Sequence, residues 1–171
     1  VEAQQKYLEN IETYVKNGTL IVQMKEPNED KNFIDKLTSK YSDYLNRQRF
    51  EVYIGTKNLK EIKMNGASSL STKNNFKLEK ITMDISGASK LSMNCKVENA
   101  KIEVSGASTV NIHGKAEDVF LDISGASTFK GNDFECEKIK ADVSGASGAV
   151  IYVSENFSGE ASGASTIRCY G

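Results

Sequence analysis

From Phe50 onward, apolar and polar residues alternate with a period of two, and the alternation is anchored on one tetrapeptide. Ser-Gly-Ala-Ser occurs at 86–89, 105–108, 124–127, 144–147 and 162–165, and Asn65-Gly66-Ala67-Ser68 precedes them. The six glycines, Gly66, Gly87, Gly106, Gly125, Gly145 and Gly163, are separated by 21, 19, 19, 20 and 18 residues. Two positions before each glycine stand Met64, Ile85, Val104, Ile123, Val143 and Ala161. Four positions after stand Leu70, Leu91, Val110, Phe129, Ala149 and Ile167. Odd offsets are mostly polar. Strict alternation rich in β-branched residues predicts strands on both sides of the tetrapeptide.

Each repeat therefore reads as strand, small-residue corner, strand and return. Ten steps of strand, from four before the glycine to six after, would run about 33 Å if straight, so the chain must bend. Glycine supplies the backbone freedom for the bend. Stacked serines can bond along the column or to nearby backbone. A coil of this period also supplies the long crossover that parallel strands need. The expected fold is all-β: a right-handed parallel β-helix with a Gly-Ala-Ser corner. The variable stretches at 71–80, 94–100, 113–118 and 131–138 read as the loop side. The leucine-rich signature is absent, and a propeller blade needs about twice this period.

Residues 1–50 lack the repeat. Asn17-Gly18 between 13–15 and 20–22 predicts a hairpin or an irregular first rung. Residues 4–11 fit one or two helical turns. Phe33, Leu37, Tyr41 and Tyr44-Leu45 fit a short helix over 32–46. The chain reads as a single β-helix domain over 1–171. In it, 1–50 form an irregular N-terminal cap with early rungs, and 51–171 form the regular rungs.

Composition narrows function. Lys and Arg total 22 against 23 Asp and Glu, with eight against eight in residues 1–50 and 14 against 15 in 51–171, which excludes the basic excess of a nucleic-acid binder. No apolar run approaches 18 residues, so no transmembrane segment is predicted. His113 is the single histidine, which excludes a His-rich metal site within one chain. Three cysteines cannot all pair. They read as small buried hydrophobes or as one disulfide plus a free thiol. Cys95 and Cys136 lie two rungs apart, about 9.6 Å along the axis, beyond the ~7 Å that a disulfide spans. The three are therefore expected to be free.

Leu59, Ile62 and Gly66-Ala67-Ser68, the five Ser-Gly-Ala-Ser copies, the ending Ser162–Ile167 with Tyr170-Gly171, and Asn17–Ile21 together resemble a family of exported bacterial proteins. It is the auto-transporter adhesin, or head-GIN domain, family. The resemblance covers most of the chain and is most specific over 50–171. It implies a right-handed β-helix, export through the inner membrane to the periplasm or cell surface, and lipid anchoring in the precursor. It also implies adhesion, and further N-terminal strands ahead of Val1. It carries no catalytic motif and no cofactor.

Candidate chemistry rests on a column of acids three positions before the glycines: Asp84, Glu103, Asp122 and Asp142, continued by Glu160. Neighbours about 4.8 Å apart resemble a retaining glycosidase pair. An active site, however, is normally a local departure from a repeat. Calcium takes six to eight oxygens, and one carboxylate per rung supplies too few, so no metal site is expected. Lys101 and Lys140, on the same face, can offset the repulsion. His113 reads as a surface histidine, and Tyr152 and Phe157 as core or edge packing, with an aromatic sugar platform as the alternative. Thr109, Thr128 and Thr166 form a flat polar ladder. The expected function is a non-enzymatic exported scaffold that binds an extracellular polysaccharide or a cell-surface protein. The alternative is a carbohydrate-active β-helix enzyme. The final strand, Thr166–Tyr170, has a free edge on which self-association, or a segment folding back, is expected.

Overall fold

The structure, a computed structural model, describes residues 2–3, 11–25, 52–56 and 58–171. The chain divides into two compact units, Val1–Lys57 and Asn58–Gly171.

In the first unit, β1 (Glu2–Ala3) pairs antiparallel with β4 (Val52–Tyr53). β2 (Ile11–Lys16) and β3 (Thr19–Met24) form an antiparallel hairpin. Its two turn residues, Asn17 at φ 51° and Gly18 at φ 77°, are both left-handed, as a type I′ turn requires. Asn17-Gly18 therefore closes a hairpin and not a solenoid rung. Ile11 is a strand residue, which shortens the helical turns expected over 4–11. The rest of that segment and the helix expected at 32–46 lie outside the described residues. Val52 belongs to an antiparallel pair and does not lead directly into the first rung.

The second unit is a parallel β-solenoid. β5 (Glu61–Met64) and β6 (Ser69–Ser71) flank the first corner. β7 (Phe76–Ile85), β8 (Lys90–Val104), β9 (Thr109–Ile123), β10 (Thr128–Val143), β11 (Gly148–Ala161) and β12 (Thr166–Tyr170) follow. Neighbouring strands are parallel and in register at one repeat: Ile102 lies on Leu121, and Val104 on Ile123. From seven residues before each glycine to six after, even offsets point inward and odd offsets outward. The core is a set of columns including Ile85, Val104, Ile123 and Val143, all nearly inaccessible.

The return side is strand, not loop. β8 runs unbroken through Cys95 and Val97, which stack on Gly114 and Ala116 of β9. Cys95, Val97 and Ala116 are buried, so the side closes the core. The length changes do fall here. Pairing shifts between Lys130 and Phe134, where the repeat is one residue longer than the one before. In that rung Phe129 and Phe134 are both buried. Gly131 leaves space for the first: a Cβ there would lie 2.6 Å from Phe129 Cε1.

The corner explains the tetrapeptide. All six glycines have φ between 72° and 77°, a conformation costly for any residue with a Cβ. The corner backbone continues the ladder between rungs. The Ala107 N–H donates to Gly87 O at 2.7 Å, and the Ala126 N–H to Gly106 O at 2.8 Å. The second serine is buried at four corners: Ser89, Ser108, Ser127 and Ser147. Ser127 Oγ donates to Gly106 O at 3.3 Å and accepts the Ser108 N–H at 3.4 Å. The serine column thus bonds mainly to backbone one rung away. The two end serines also bond within their own corner, Ser68 Oγ to Asn65 O and Ser165 Oγ to Ser162 O, each at 2.7 Å, and Ser68 Oγ meets Ser89 Oγ at 3.3 Å.

All three cysteines are free, with Cys95 and Cys136 buried and Cys169 exposed. Burial pushes the Cys95 thiol up to about 11 and the Cys136 thiol to about 12. β12 pairs only with β11 among the described residues.

Candidate binding groove

The register converts sequence offsets into columns along the solenoid axis. Three outward columns share the face that precedes the corner. The first is Lys63, Asp84, Glu103, Asp122, Asp142 and Glu160, in continuous register. The four candidate acids, Asp84, Glu103, Asp122 and Asp142, are thus brought together as one evenly spaced ladder. None is buried. Among the described residues, no three of His, Cys, Asp and Glu come together in a geometry that could hold a metal ion.

The second column, two residues earlier, is Glu61, Thr82, Lys101, Phe120, Lys140 and Ser158. Phe120 therefore stands between two lysines, one strand away on either side. Lys101 Nζ pairs with Glu103 Oε1 at 2.8 Å, and Lys63 Nζ with Glu61 Oε1 at 2.9 Å. Hydrogen bonding and charge from Glu61 raise the Lys63 pKa. Lys140 makes no ion pair among the described residues. Of the two lysines expected to relieve the ladder, Lys101 is the one that forms an ion pair with one of its acids.

The third column is Lys80, Asn99, Asp118, Lys138 and Asn156. Between the second and third columns the inward positions are Ala100, Val119 and Ile139, buried against the core. The side chains on either side enclose a groove of about 640 Å³ that crosses β7 to β11 along the axis. Four lysines, Lys80, Lys101, Lys138 and Lys140, line it with one acid, Asp118. Lys80 and Lys138, like Lys140, make no ion pair among the described residues.

Five glutamates occupy the next corner position, eight before the glycine: Glu79, Glu98, Glu117, Glu137 and Glu155. All are exposed. The first four lie at the bend, between the paired positions Val97–Ala116 and Asn99–Asp118 and their equivalents. Lys101 and Lys140, five before their glycines, are legible in the sequence as neighbours of the acid column, whereas the glutamate ladder and the groove are not among the sequence expectations. Extending the same offset count would have found the glutamates. Nothing in the sequence alone says that offsets −7 and −5 wall one groove.

Of the other sequence candidates only Phe157 lines the groove. Thr109, Thr128 and Thr166 line the face after the corner, in one column with Gly148. His113 is on β9, not in a loop. Its Nε2 lies 2.9 Å from Asn111 Nδ2, and its Nδ1 lies 3.4 Å from Asp133 Oδ2. Tyr152 and Phe157, expected to be packed, are 37% and 42% exposed. Tyr152 stands on an outward column beside Tyr170, and the terminal rung leaves Phe157 partly uncovered. On the return side Lys77, Lys96 and Lys115 form a basic column that ends in Glu135, with Lys115 Nζ 2.7 Å from Glu135 Oε2.

This architecture matches a solved structure, "a putative adhesin" from Bacteroides fragilis, with a TM-score of 0.71. The two chains share 16% identity over 96% of this chain and 78% of that one, a likeness of fold. No curated protein matches the sequence. The family model described as "Putative auto-transporter adhesin, head GIN domain" matches residues 1–171, and the chain belongs to that family.

Proposed function

We propose that this chain is a non-enzymatic, adhesin-like binding scaffold, exported to the periplasm or cell surface, that recognises a polysaccharide or a surface protein. The observation that carries this reading is the axial groove. It crosses five successive strands, β7 to β11, walled by residues at the same two outward offsets, while the residue types change from rung to rung. Such a site suits an extended partner held at many weak points. An enzyme needs one bond placed against a few reacting groups. The acid ladder is evenly spaced, with Asp122 between Glu103 and Asp142, and the ion pair that sets Glu103 apart, to Lys101, is with a cation and not with a second reacting group.

The test exposes the purified chain to a panel of polysaccharides and to whole cells, and follows both retention and cleavage. Saturable retention without new reducing ends or unsaturated products is expected. Cleavage that disappears in an Asp122→Asn/Asp142→Asn variant would establish the carbohydrate-active alternative instead. Fractionation of cells expressing the precursor tests export, and the chain should leave the cytoplasm.

A further inference from the structure

We infer that the groove between the Lys80–Asn156 and Lys101–Ser158 columns holds a single extended chain of an acidic, carboxylate-bearing glycan, lying along the solenoid axis. The inference rests on the binding-scaffold reading and names its ligand.

Charge sets the sign. The lining holds four lysines against Asp118 in a chain whose net charge is −1. Lys101 is already shared with Glu103. Lys80, Lys138 and Lys140 carry ammonium groups without an ion pair among the described residues, so three cationic positions are free for anions. Lys101 and Lys140 recur two rungs apart, about 9.6 Å, and the groove from β7 to β11 is about 19 Å long at the strand spacing. That length takes several sugar units in a row.

The flanks set the width. The groove runs between two acid ladders, Glu79, Glu98, Glu117 and Glu137 on one side and Asp84, Glu103, Asp122 and Asp142 on the other. A broad polyanion, such as duplex nucleic acid or an anionic bilayer, would lay charge over both ladders as well as over the lysines. Repulsion at about 4 Å costs on the order of 1 kcal/mol per pair even in water. A strand one sugar wide keeps its carboxylates over the lysines and away from the ladders.

The remaining lining fits a sugar. Phe120 stands midway between Lys101 and Lys140 and is only half-buried, so its ring can take the apolar face of a pyranose. The Asn99 and Asn156 amides each offer a donor and an acceptor to hydroxyls. An acidic peptide is served less well. β8, β9 and β10 are paired on both edges, so the groove has no free backbone to satisfy a peptide's own N–H and C=O groups.

The test titrates polygalacturonate oligomers into the full chain, with neutral pullulan as comparison. Three proteins are used: wild type, Lys138→Ala/Lys140→Ala, and Lys77→Ala/Lys96→Ala. The last removes the same charge from the basic column on the return side. Binding to polygalacturonate but not pullulan is expected, weakened about tenfold or more in the groove variant and nearly unchanged in the return-side variant. All four lysines are exposed, so the melting temperatures should agree with wild type. Phe120→Ser, with charge intact, should also weaken binding. Equal loss in both lysine variants would overturn the proposal in favour of unspecific charge attraction. Equal binding of pullulan would overturn it too. Retention of another polymer or of a surface protein, without any affinity for polygalacturonate, would overturn the ligand assignment and leave the scaffold reading standing.

Discussion

The Ser127 hydroxyl donates to the carbonyl oxygen of Gly106, one rung away, at 3.3 Å, and that oxygen also accepts the Ala126 N–H at 2.8 Å. The corner glycine thus uses both lone pairs on the next rung, and all three letters of Gly-Ala-Ser follow from one contact. Glycine is needed for φ near +75°, alanine for its N–H and small size, and serine for a buried hydroxyl that bonds in both directions.

Ser127→Ala should therefore destabilise by about 1–3 kcal/mol, because the buried Ser108 N–H loses its acceptor. Ser68→Ala, at an exposed corner, should cost much less. Chemical denaturation of the two variants compares them directly. Equal losses would mean that the hydroxyls do not bond between rungs.

The glycines should divide in the same way. A Cβ on Gly125 would lie 2.5 Å from Gly106 O, whereas one on Gly66 meets nothing within 4 Å. Gly66→Ala should cost only the backbone strain of its positive φ, on the order of 1–2 kcal/mol. Gly125→Ala should add overpacking of about 1–3 kcal/mol. Melting curves that shift equally would contradict the tight stack.

This corner was legible because the same four letters return at a nearly fixed period, and because apolar residues at even offsets hold their parity across the bend. Met64, Ile85 and Val104 therefore announced the core. The return side was not legible as strand. There the inward positions are filled irregularly, by Cys95, Gly114 and Phe134, and one inserted residue shifts the pairing after Lys130. The acid ladder could be read because it sits beside the glycine. The groove could not: offset −5 already aligns Lys101, Phe120 and Lys140, but only the fold shows that this column and the one at −7 wall a single groove.

The thiols give a labelling and a pH prediction. Cys169 should react with a thiol reagent in the folded protein, and Cys95 and Cys136 only after unfolding. Both buried thiols have pKa values raised by desolvation from 9.0, to about 11 and about 12. The folded state holds those protons where the unfolded chain releases them. Their contribution to stability is full below about pH 9 and is lost as pH climbs through 11 to 12. A Cys95→Ala/Cys136→Ala variant should lose stability less steeply over that window. Identical slopes would contradict the effect.

The acid ladder gives a salt-dependent prediction. Asp122 lies between Glu103 and Asp142, and of these only Glu103 has a lysine partner. Asp122→Asn should raise the melting temperature slightly at low salt, by the removal of like-charge repulsion worth up to about 1 kcal/mol. The gain should fade at high salt. Millimolar calcium should leave the melting temperature of the wild type unchanged. A rise of several degrees that Asp122→Asn abolishes would reveal a cation site instead.

The repeat itself can be tested by excision. Removing residues 106–124 joins Ser105 to Gly125, restores an intact Ser-Gly-Ala-Ser and deletes one 19-residue rung. In a solenoid each rung contacts only its neighbours, so the shortened chain should remain β-rich and unfold cooperatively, at a somewhat lower temperature. Removing residues 106–114, half a rung, should abolish folding. Circular dichroism with thermal melting reads both. A full-rung deletion that unfolds as completely as the half-rung deletion would contradict a structure built from one stacked unit.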